Sequence, residues 1–279
     1  MPEITPALVG QLRAMTGAGL MACKKALDET KGDLQGAVDI LRKQGAAAAV
    51  KKADRTANEG LIGQAVSANG RVGVLIEVNC ETDFVARNDS FKSFVSELAA
   101  KIASDANTDL EADRVSAVAR IGENIQIRRH QRLEVQGNGL VGAYIHLGGK
   151  IGVLVELGAS KETTCANEEF KQLVRDITLQ IAAASPVAVS RNDIPVAVID
   201  KEKEIASQSD ALKGKPAAAV AKIIEGKLAK FYENSCLLEQ GFVKNPDLKV
   251  LAHIGTVSKQ LGDEVTVQRF LRFQIGEAI

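Results

Sequence analysis

An ungapped internal repeat constrains this chain more than any other feature, because two copies of one segment must share one plan of strands and helices. Gly60-Leu61-Ile62-Gly63 returns as Gly139-Leu140-Val141-Gly142, an offset of 79 (139 − 60). At the same offset Arg71-Val72-Gly73-Val74-Leu75-Ile76-Glu77-Val78 returns as Lys150-Ile151-Gly152-Val153-Leu154-Val155-Glu156-Leu157, and Phe91-Lys92-Ser93-Phe94-Val95 as Phe170-Lys171-Gln172-Leu173-Val174. A second alignment, offset by 140 (261 − 121), pairs Ile121-Gly122-Glu123-Asn124-Ile125-Gln126-Ile127-Arg128-Arg129 with Leu261-Gly262-Asp263-Glu264-Val265-Thr266-Val267-Gln268-Arg269. The second copy therefore carries 61 extra residues (140 − 79) before its last strand.

Each copy reads as an α+β unit of hairpin, buried strand, helix and closing strand. Ala68-Asn69-Gly70 and Leu147-Gly148-Gly149 supply tight hairpin turns between β-branched runs. Phe91, Phe94, Val95, Leu98 and Ile102 recur at helical spacing behind a cap at Asn88-Asp89-Ser90, and Phe170, Leu173, Val174 and Ile177 repeat the pattern. Residues 5–45 read as three short helices, with Leu8, Leu12 and Met15 on the first and Ala37, Val38 and Leu41 on the third, which Asp33 caps. The Ala-rich, then polar stretch 46–60 reads as a linker or frayed helix. In the 61-residue excess, Pro195 precedes one helix, Leu212-Lys213-Gly214-Lys215-Pro216 makes a turn, and Ala217–Asn234 makes a second helix. Val220, Ile224, Lys227 or Leu228, and Phe231 follow the spacing of a coiled-coil seam. A homodimer contact through this hairpin and ordinary intramolecular pairing both fit. The expected domains are 1–55, a three-helix module with its linker; 56–138, core subdomain 1; 139–186 with 235–279, core subdomain 2; and 187–234, the inserted helical hairpin.

Composition removes several function classes. With 35 Lys plus Arg against 35 Asp plus Glu, the chain lacks the basic surplus of a protein that lives on phosphate neutralisation, so no nucleic acid is expected. No apolar run approaches a membrane span, and Met1-Pro2-Glu3-Ile4 does not open a signal peptide, so a cytoplasmic protein is expected. Cys23, Cys80, Cys165 and Cys236 are widely scattered, and His130, His146 and His253 form no ligand pattern, so neither disulfides nor a metal are expected. Gly137-Asn138-Gly139-Leu140-Val141-Gly142 matches G-x-G-x-x-G by letter. The residues after it read as a strand entering a Gly-Gly hairpin rather than as a phosphate-binding helix, so no nucleotide cofactor is expected. No Walker loop or nucleophile elbow is present, and the chain does not read as an enzyme.

Differences between the copies are more informative than their likeness. Arg129 and Arg132 recur as Arg269 and Arg272, which assigns them to the shared fold as the solvated face of the closing strand. Asn79-Cys80-Glu81-Thr82-Asp83-Phe84-Val85, by contrast, aligns with Gly158-Ala159-Ser160-Lys161-Glu162-Thr163-Thr164. The second copy keeps the apolar positions of the following helix yet replaces Phe84 with Thr163. A large apolar side chain on a connection, beside an acid, suits an anchor for a partner's pocket. Phe84 covering the helix end as a hydrophobic staple is the other reading.

Two segments carry a family resemblance. Leu12-Arg13-Ala14-Met15-Thr16-Gly17-Ala18-Gly19-Leu20-Met21-Ala22-Cys23-Lys24-Lys25-Ala26-Leu27 and Glu77-Val78-Asn79-Cys80-Glu81-Thr82-Asp83-Phe84-Val85-Ala86-Arg87 resemble the signatures of the bacterial translation elongation factor Ts family, and the likeness runs over the whole chain. It implies a ubiquitin-associated (UBA)-like N-terminal bundle, two core subdomains and a coiled-coil hairpin. It also implies a guanine-nucleotide exchange factor, without covalent chemistry, that binds elongation factor Tu and promotes release of its GDP and exchange for GTP. By the resemblance, Thr82, Asp83, Phe84 and Val85 form the loop that meets the partner's G domain, with Phe84 as a wedge near the Mg²⁺ and phosphate site. Arg13, Leu20 and Met21, together with Ile121 and Gly122, match further G-domain contacts, and His146 matches a contact with another domain. Many members add a G-domain contact through a helical tail beyond the closing strand, where this sequence reaches Gly276-Glu277-Ala278-Ile279. A non-exchanging adaptor that recruits a partner through the three-helix module is the alternative.

Overall fold

The computed structural model describes residues 4–208 and 215–278. Residues 212–214 of the expected turn, and Met1 to Glu3 of the N-terminal reading, lie outside these. The first helix, α1 (Pro6–Thr16), starts where the Thr5 hydroxyl accepts the Leu8 N–H and stops at left-handed Gly17, φ 66°. It packs with α2 (Leu20–Glu29) and α3 (Leu34–Lys52) around fully buried Leu12, Cys23, Ala26, Leu27 and Ala37. Asp33 caps α3 by accepting the Gln35 and Gly36 N–H groups.

The helix α3 runs on to Lys52, so the first part of the stretch 46–60, expected as a linker or frayed helix, is helical. Alanines 46–49 favour helix strongly, and small residues let α3 press close to a neighbour. That neighbour is α6 (Glu111–Ile121), a helix absent from the expected plan: a Cβ at Gly45 would lie 3.3 Å from that of Ala119.

The first unit contains the antiparallel sheet β1 (Glu59–Val66), β2 (Val72–Cys80) and β3 (Gln126–Glu134), with β2 central. The second contains β4 (Asn138–His146), β5 (Ile151–Ala159) and β8 (Val265–Gln274), with β5 central. Side chains alternate along β2: Val74, Ile76 and Val78 face α5 (Asp89–Ser104), whose Phe91, Phe94, Val95, Leu98 and Ile102 are all buried. Val153, Val155 and Leu157 of β5 do the same towards Phe170, Leu173, Val174 and Ile177 of α7 (Glu168–Ala184).

The other faces of the two sheets meet. Ile62, Leu75 and Leu133 of the first unit pack with Val141, Leu154 and Phe273, their repeat equivalents. The contacts are reciprocal, as an isologous interface requires. A Cβ on Gly73 would strike Val141 and Leu154, while one on Gly152 would strike Ile62 and press closely on Leu75. Likewise the Arg129 guanidinium donates to the Gln274 carbonyl, and that of Arg269 to the Glu134 carbonyl. The duplicated units therefore pack about a pseudo-two-fold axis.

The same face corrects the reading of the closing-strand arginines. Glu77 is fully buried and bonds Arg129 at 2.7 Å and Arg128 at 3.0 Å. A bulge between Glu77 and Val78 brings both arginines to one carboxylate. Glu156, at the equivalent bulge, bonds Arg269 at 2.7 Å. Arg129 also lies 4.0 Å over the Phe273 ring. Arg128 and Arg129 are thus internal ion-pair partners and not a solvated face, whereas Arg269 pairs with its glutamate while keeping half of its side chain exposed.

Between α7 and β8 the second unit carries α8 (Val196–Ser207) and α9 (Ala217–Ser235), which lie against each other, a short hairpin of β6 (Gly241–Phe242) and β7 (Asn245–Lys249), and α10 (Val250–Leu261), the counterpart of α6. Among the described residues of α9 none is fully buried. The base of the α8–α9 pair is fixed by Ala188, Ile194 and Cys236 and by Arg191, which bonds Glu239 and lies 4.4 Å over the Tyr232 ring.

Candidate partner-binding site

The segment after β2, read as a connection from sequence, is a short helix, α4 (Asp83–Arg87). Thr82 is extended, φ −123°, and its Oγ1 accepts the Val85 N–H at 3.3 Å. Asn88 ends α4 and starts α5 at once, donating its N–H to the Val85 carbonyl and accepting the Ser90 N–H on its side chain. Ala86 is buried and Val85 packs partly against the core of the first unit, which fixes the rotation of the helix. Phe84 on the opposite side is 81% exposed, more than any other large apolar residue among those described. It covers no helix end, so the staple reading fails. Asp83 pairs with Arg87 at 2.9 Å on the same exposed surface.

A carboxylate from another element holds this turn. Glu123, following left-handed Gly122 at the end of α6, accepts the Glu81 N–H at 2.9 Å and the Thr82 N–H at 3.0 Å on Oε2. Its Oε1 accepts the Thr82 hydroxyl at 2.6 Å. Glu81 returns the contact by accepting the Asn124 N–H at 2.6 Å. Beneath them, burial and then the Glu123 and Glu59 charges push the Cys80 thiol up to about 12, so it is a neutral packing group and not a nucleophile. Sequence reasoning matched Ile121 and Gly122 and missed Glu123. The signal was present, because the repeat pairs Glu123 with Asp263.

In the second copy Asp263 accepts the Lys161 N–H at 3.0 Å and the Thr164 hydroxyl at 2.6 Å. The turn it holds, Glu162–Ala166, is a short 3-10 helix with buried Thr164 and exposed Thr163. The clamp is duplicated and the apolar projection is not.

Other expected residues fall into two groups. Ile121, half-buried against the first core, and exposed Gly122 join the Thr82–Val85 turn through Glu123. The side chain of Arg120 lies against Gly17 in the α1–α2 turn, which brings the N-terminal bundle next to the end of α6. A cleft of about 840 Å³ runs between them, lined by Met15, Gly19, Val115 and Arg120. At this end Arg13 is exposed, and Met15, Leu20 and Met21 show 58%, 54% and 74% of their surface, an apolar patch to which sequence reasoning did not assign Met15. His146 stands apart, exposed at the end of β4 with its Nδ1 3.0 Å from the Tyr144 hydroxyl and the two rings stacked. The Gly137–Gly142 motif leads into strand β4 and opens no helix.

The arrangement offers apolar projections held on rigid supports. Among the described residues no cluster of His, Cys, Asp and Glu is placed to hold a metal ion, and no helix is long and apolar enough to cross a membrane.

Comparison with known proteins gives a consistent result. The sequence model of the family described as Elongation factor TS matches residues 81–277. A protein of Trichlorobacter lovleyi named Elongation factor Ts is 45% identical, covering 99% of this chain and 94% of that protein. Proteins of the same name from Bdellovibrio bacteriovorus, at 44% with 99% and 94% covered, and from Nostoc sp., at 42% with 100% and 94% covered, are similar over the same extent.

Proposed function

The chain belongs to the elongation factor Ts family of translation elongation factors, and on that premise we propose that it binds elongation factor Tu carrying GDP and promotes release of the GDP and its replacement by GTP. The single observation that carries this reading is Phe84, 81% exposed on a helical turn that is capped, clamped and packed from below. A side chain held this way costs little ordering entropy when it enters a pocket. An exchange factor must bind the nucleotide-free partner more tightly than the GDP-bound one, since equal affinity would shift nothing. An apolar wedge meets that requirement when its pocket exists only where the partner's helices have parted.

In this reading Thr82, Asp83, Phe84 and Val85 with Ile121 and Gly122 meet the nucleotide-binding domain, Arg13, Leu20 and Met21 extend that contact, and His146 reaches a second domain. The work is conformational, with no covalent step, no direct contact to nucleotide and no nucleic acid. Equal numbers of acidic and basic residues agree with a factor that acts on a protein. We read the bundle as UBA-like and α8–α9 as a coiled-coil hairpin, with exposed Val196, Val198 and Ile205 favouring a contact between two copies. The setting is the cytoplasm, where translation proceeds.

Catalytic amounts of the protein should accelerate release of a fluorescent GDP analogue from elongation factor Tu. An unchanged release rate at every concentration would overturn the proposal. The exposed Met15, Leu20 and Met21 also suit a simple adaptor. Met21→Asp separates the two: an adaptor loses its partner, whereas an exchange factor keeps weakened activity through Phe84.

A further inference from the structure

We propose that Glu123 is the positioning residue of the wedge: its carboxylate holds the Thr82–Val85 turn in the one conformation that presents Phe84, and thereby sets how readily the protein engages its partner. The inference rests on the exchange reading above and goes beyond it in assigning a residue that acts through the turn it holds.

Three hydrogen bonds converge on this one side chain, from the Glu81 N–H, the Thr82 N–H and the Thr82 hydroxyl. Two of these donors would otherwise be orphans, because they lie beyond the β2–β3 ladder, whose last pair is Asn79 with Gln126, and ahead of the first turn of α4. The Thr82 hydroxyl is oriented by donating to Glu123, which leaves its oxygen free to cap Val85. The cap and the clamp are therefore one device. Glu123 is itself placed from both sides. The Gly122 carbonyl accepts from Lys52, and Asn124 donates to the Ala53 and Arg55 carbonyls, so the clamp stands where the end of α3 joins the core.

The duplication supplies the internal comparison. Asp263 makes the same kind of clamp on a turn with no apolar projection. Both acids serve the fold, so a purely structural role would make their loss equivalent. Only Glu123 is connected to a wedge.

The test is a concentration series of GDP release with Glu123→Ala, Glu123→Gln and Asp263→Ala, with melting followed for each. Without the clamp the presenting conformation becomes a fraction of the population, and apparent affinity falls by that fraction. For Glu123→Ala the half-saturating concentration should rise about tenfold, while the maximal rate changes less than twofold, because a saturating partner reorders the turn. Glu123→Gln should fall between, since its amide oxygen still accepts from two N–H groups. Asp263→Ala should leave both parameters within twofold of the parent. An equal rise for Glu123→Ala and Asp263→Ala, or no rise for Glu123→Ala, would overturn the assignment. Amide hydrogen exchange on the free protein gives an independent readout: residues 82–86 should exchange about tenfold faster in Glu123→Ala and not in Asp263→Ala. If the parent protein fails to accelerate GDP release from elongation factor Tu, the exchange reading falls, and unaltered amide exchange in Glu123→Ala would still refute the clamp by itself.

Discussion

Replacing Phe84 with alanine removes an apolar group that does little for the free protein and, on this account, most of the work in the complex. Because 81% of its surface is open, truncation leaves no cavity, and the melting temperature should move by no more than a surface substitution does, about 0.5 kcal/mol or less. Full burial of a phenylalanine side chain contributes about 1.5–3 kcal/mol. Roughly four-fifths of that is still available to a partner, so losing it should slow the step by about 7- to 50-fold at about 1.4 kcal/mol per factor of ten. The pocket is filled only once the partner has opened, so the loss belongs to the maximal rate more than to half-saturation. Stopped-flow release of fluorescent GDP over a concentration series reads both. A Phe84→Ala protein that melts like its parent and accelerates GDP release from elongation factor Tu to within twofold of it would refute the wedge. The opposite control, Thr163→Phe, puts an aromatic on the duplicate turn and should add nothing to exchange.

Other outcomes follow from the fold. Glu77→Ala leaves Arg128 and Arg129 without their buried partner and should cost about 3–5 kcal/mol, read as a fall in melting temperature of roughly 6 °C or more; Glu156→Ala should act in the same direction. Gly73→Ala and Gly152→Ala should destabilise by similar amounts, about 1–3 kcal/mol each, because the pseudo-two-fold axis gives them equivalent neighbours; a large inequality by calorimetry would contradict that symmetry. The Thr164 hydroxyl holds the Asp263 carboxyl below its ordinary value. A carboxyl with a lowered folded pKa stabilises above its unfolded value, and that contribution is lost as pH falls through the folded one. Melting measured from neutral to acid pH should therefore fall less steeply for Asp263→Asn than for the parent. Cys80, fully buried with its thiol pushed up to about 12, should resist alkylation at pH 8 until the protein unfolds.

What the sequence made legible divides along physical lines. The repeat exposed the strands, the hairpin turns and the helices α5 and α7, because strong apolar periodicity survives duplication. α6 escaped, since its buried positions are Ala117 and Val118, too small and too few to mark a period. The far end of α3 stayed open between linker and helix for a related reason, as Gly45 and Ala49 serve close approach and not hydrophobic bulk. Arg129 read as solvated because nothing local reveals that a glutamate on the neighbouring strand is buried beneath it. Phe84 was legible because a difference between copies isolates what the fold does not require. Glu123 needed the complementary reasoning: an acid kept in both copies at the same place serves both, and only the structure reveals that each acid clamps the turn after its copy's central strand.

The central claim is a coupling between two ligands of one partner. Calorimetric titration of this protein into nucleotide-free elongation factor Tu, and into the same protein saturated with GDP, measures that coupling directly. The account predicts markedly tighter binding to the nucleotide-free form, by the same factor by which this protein weakens GDP affinity. Equal affinity for the two forms would contradict it.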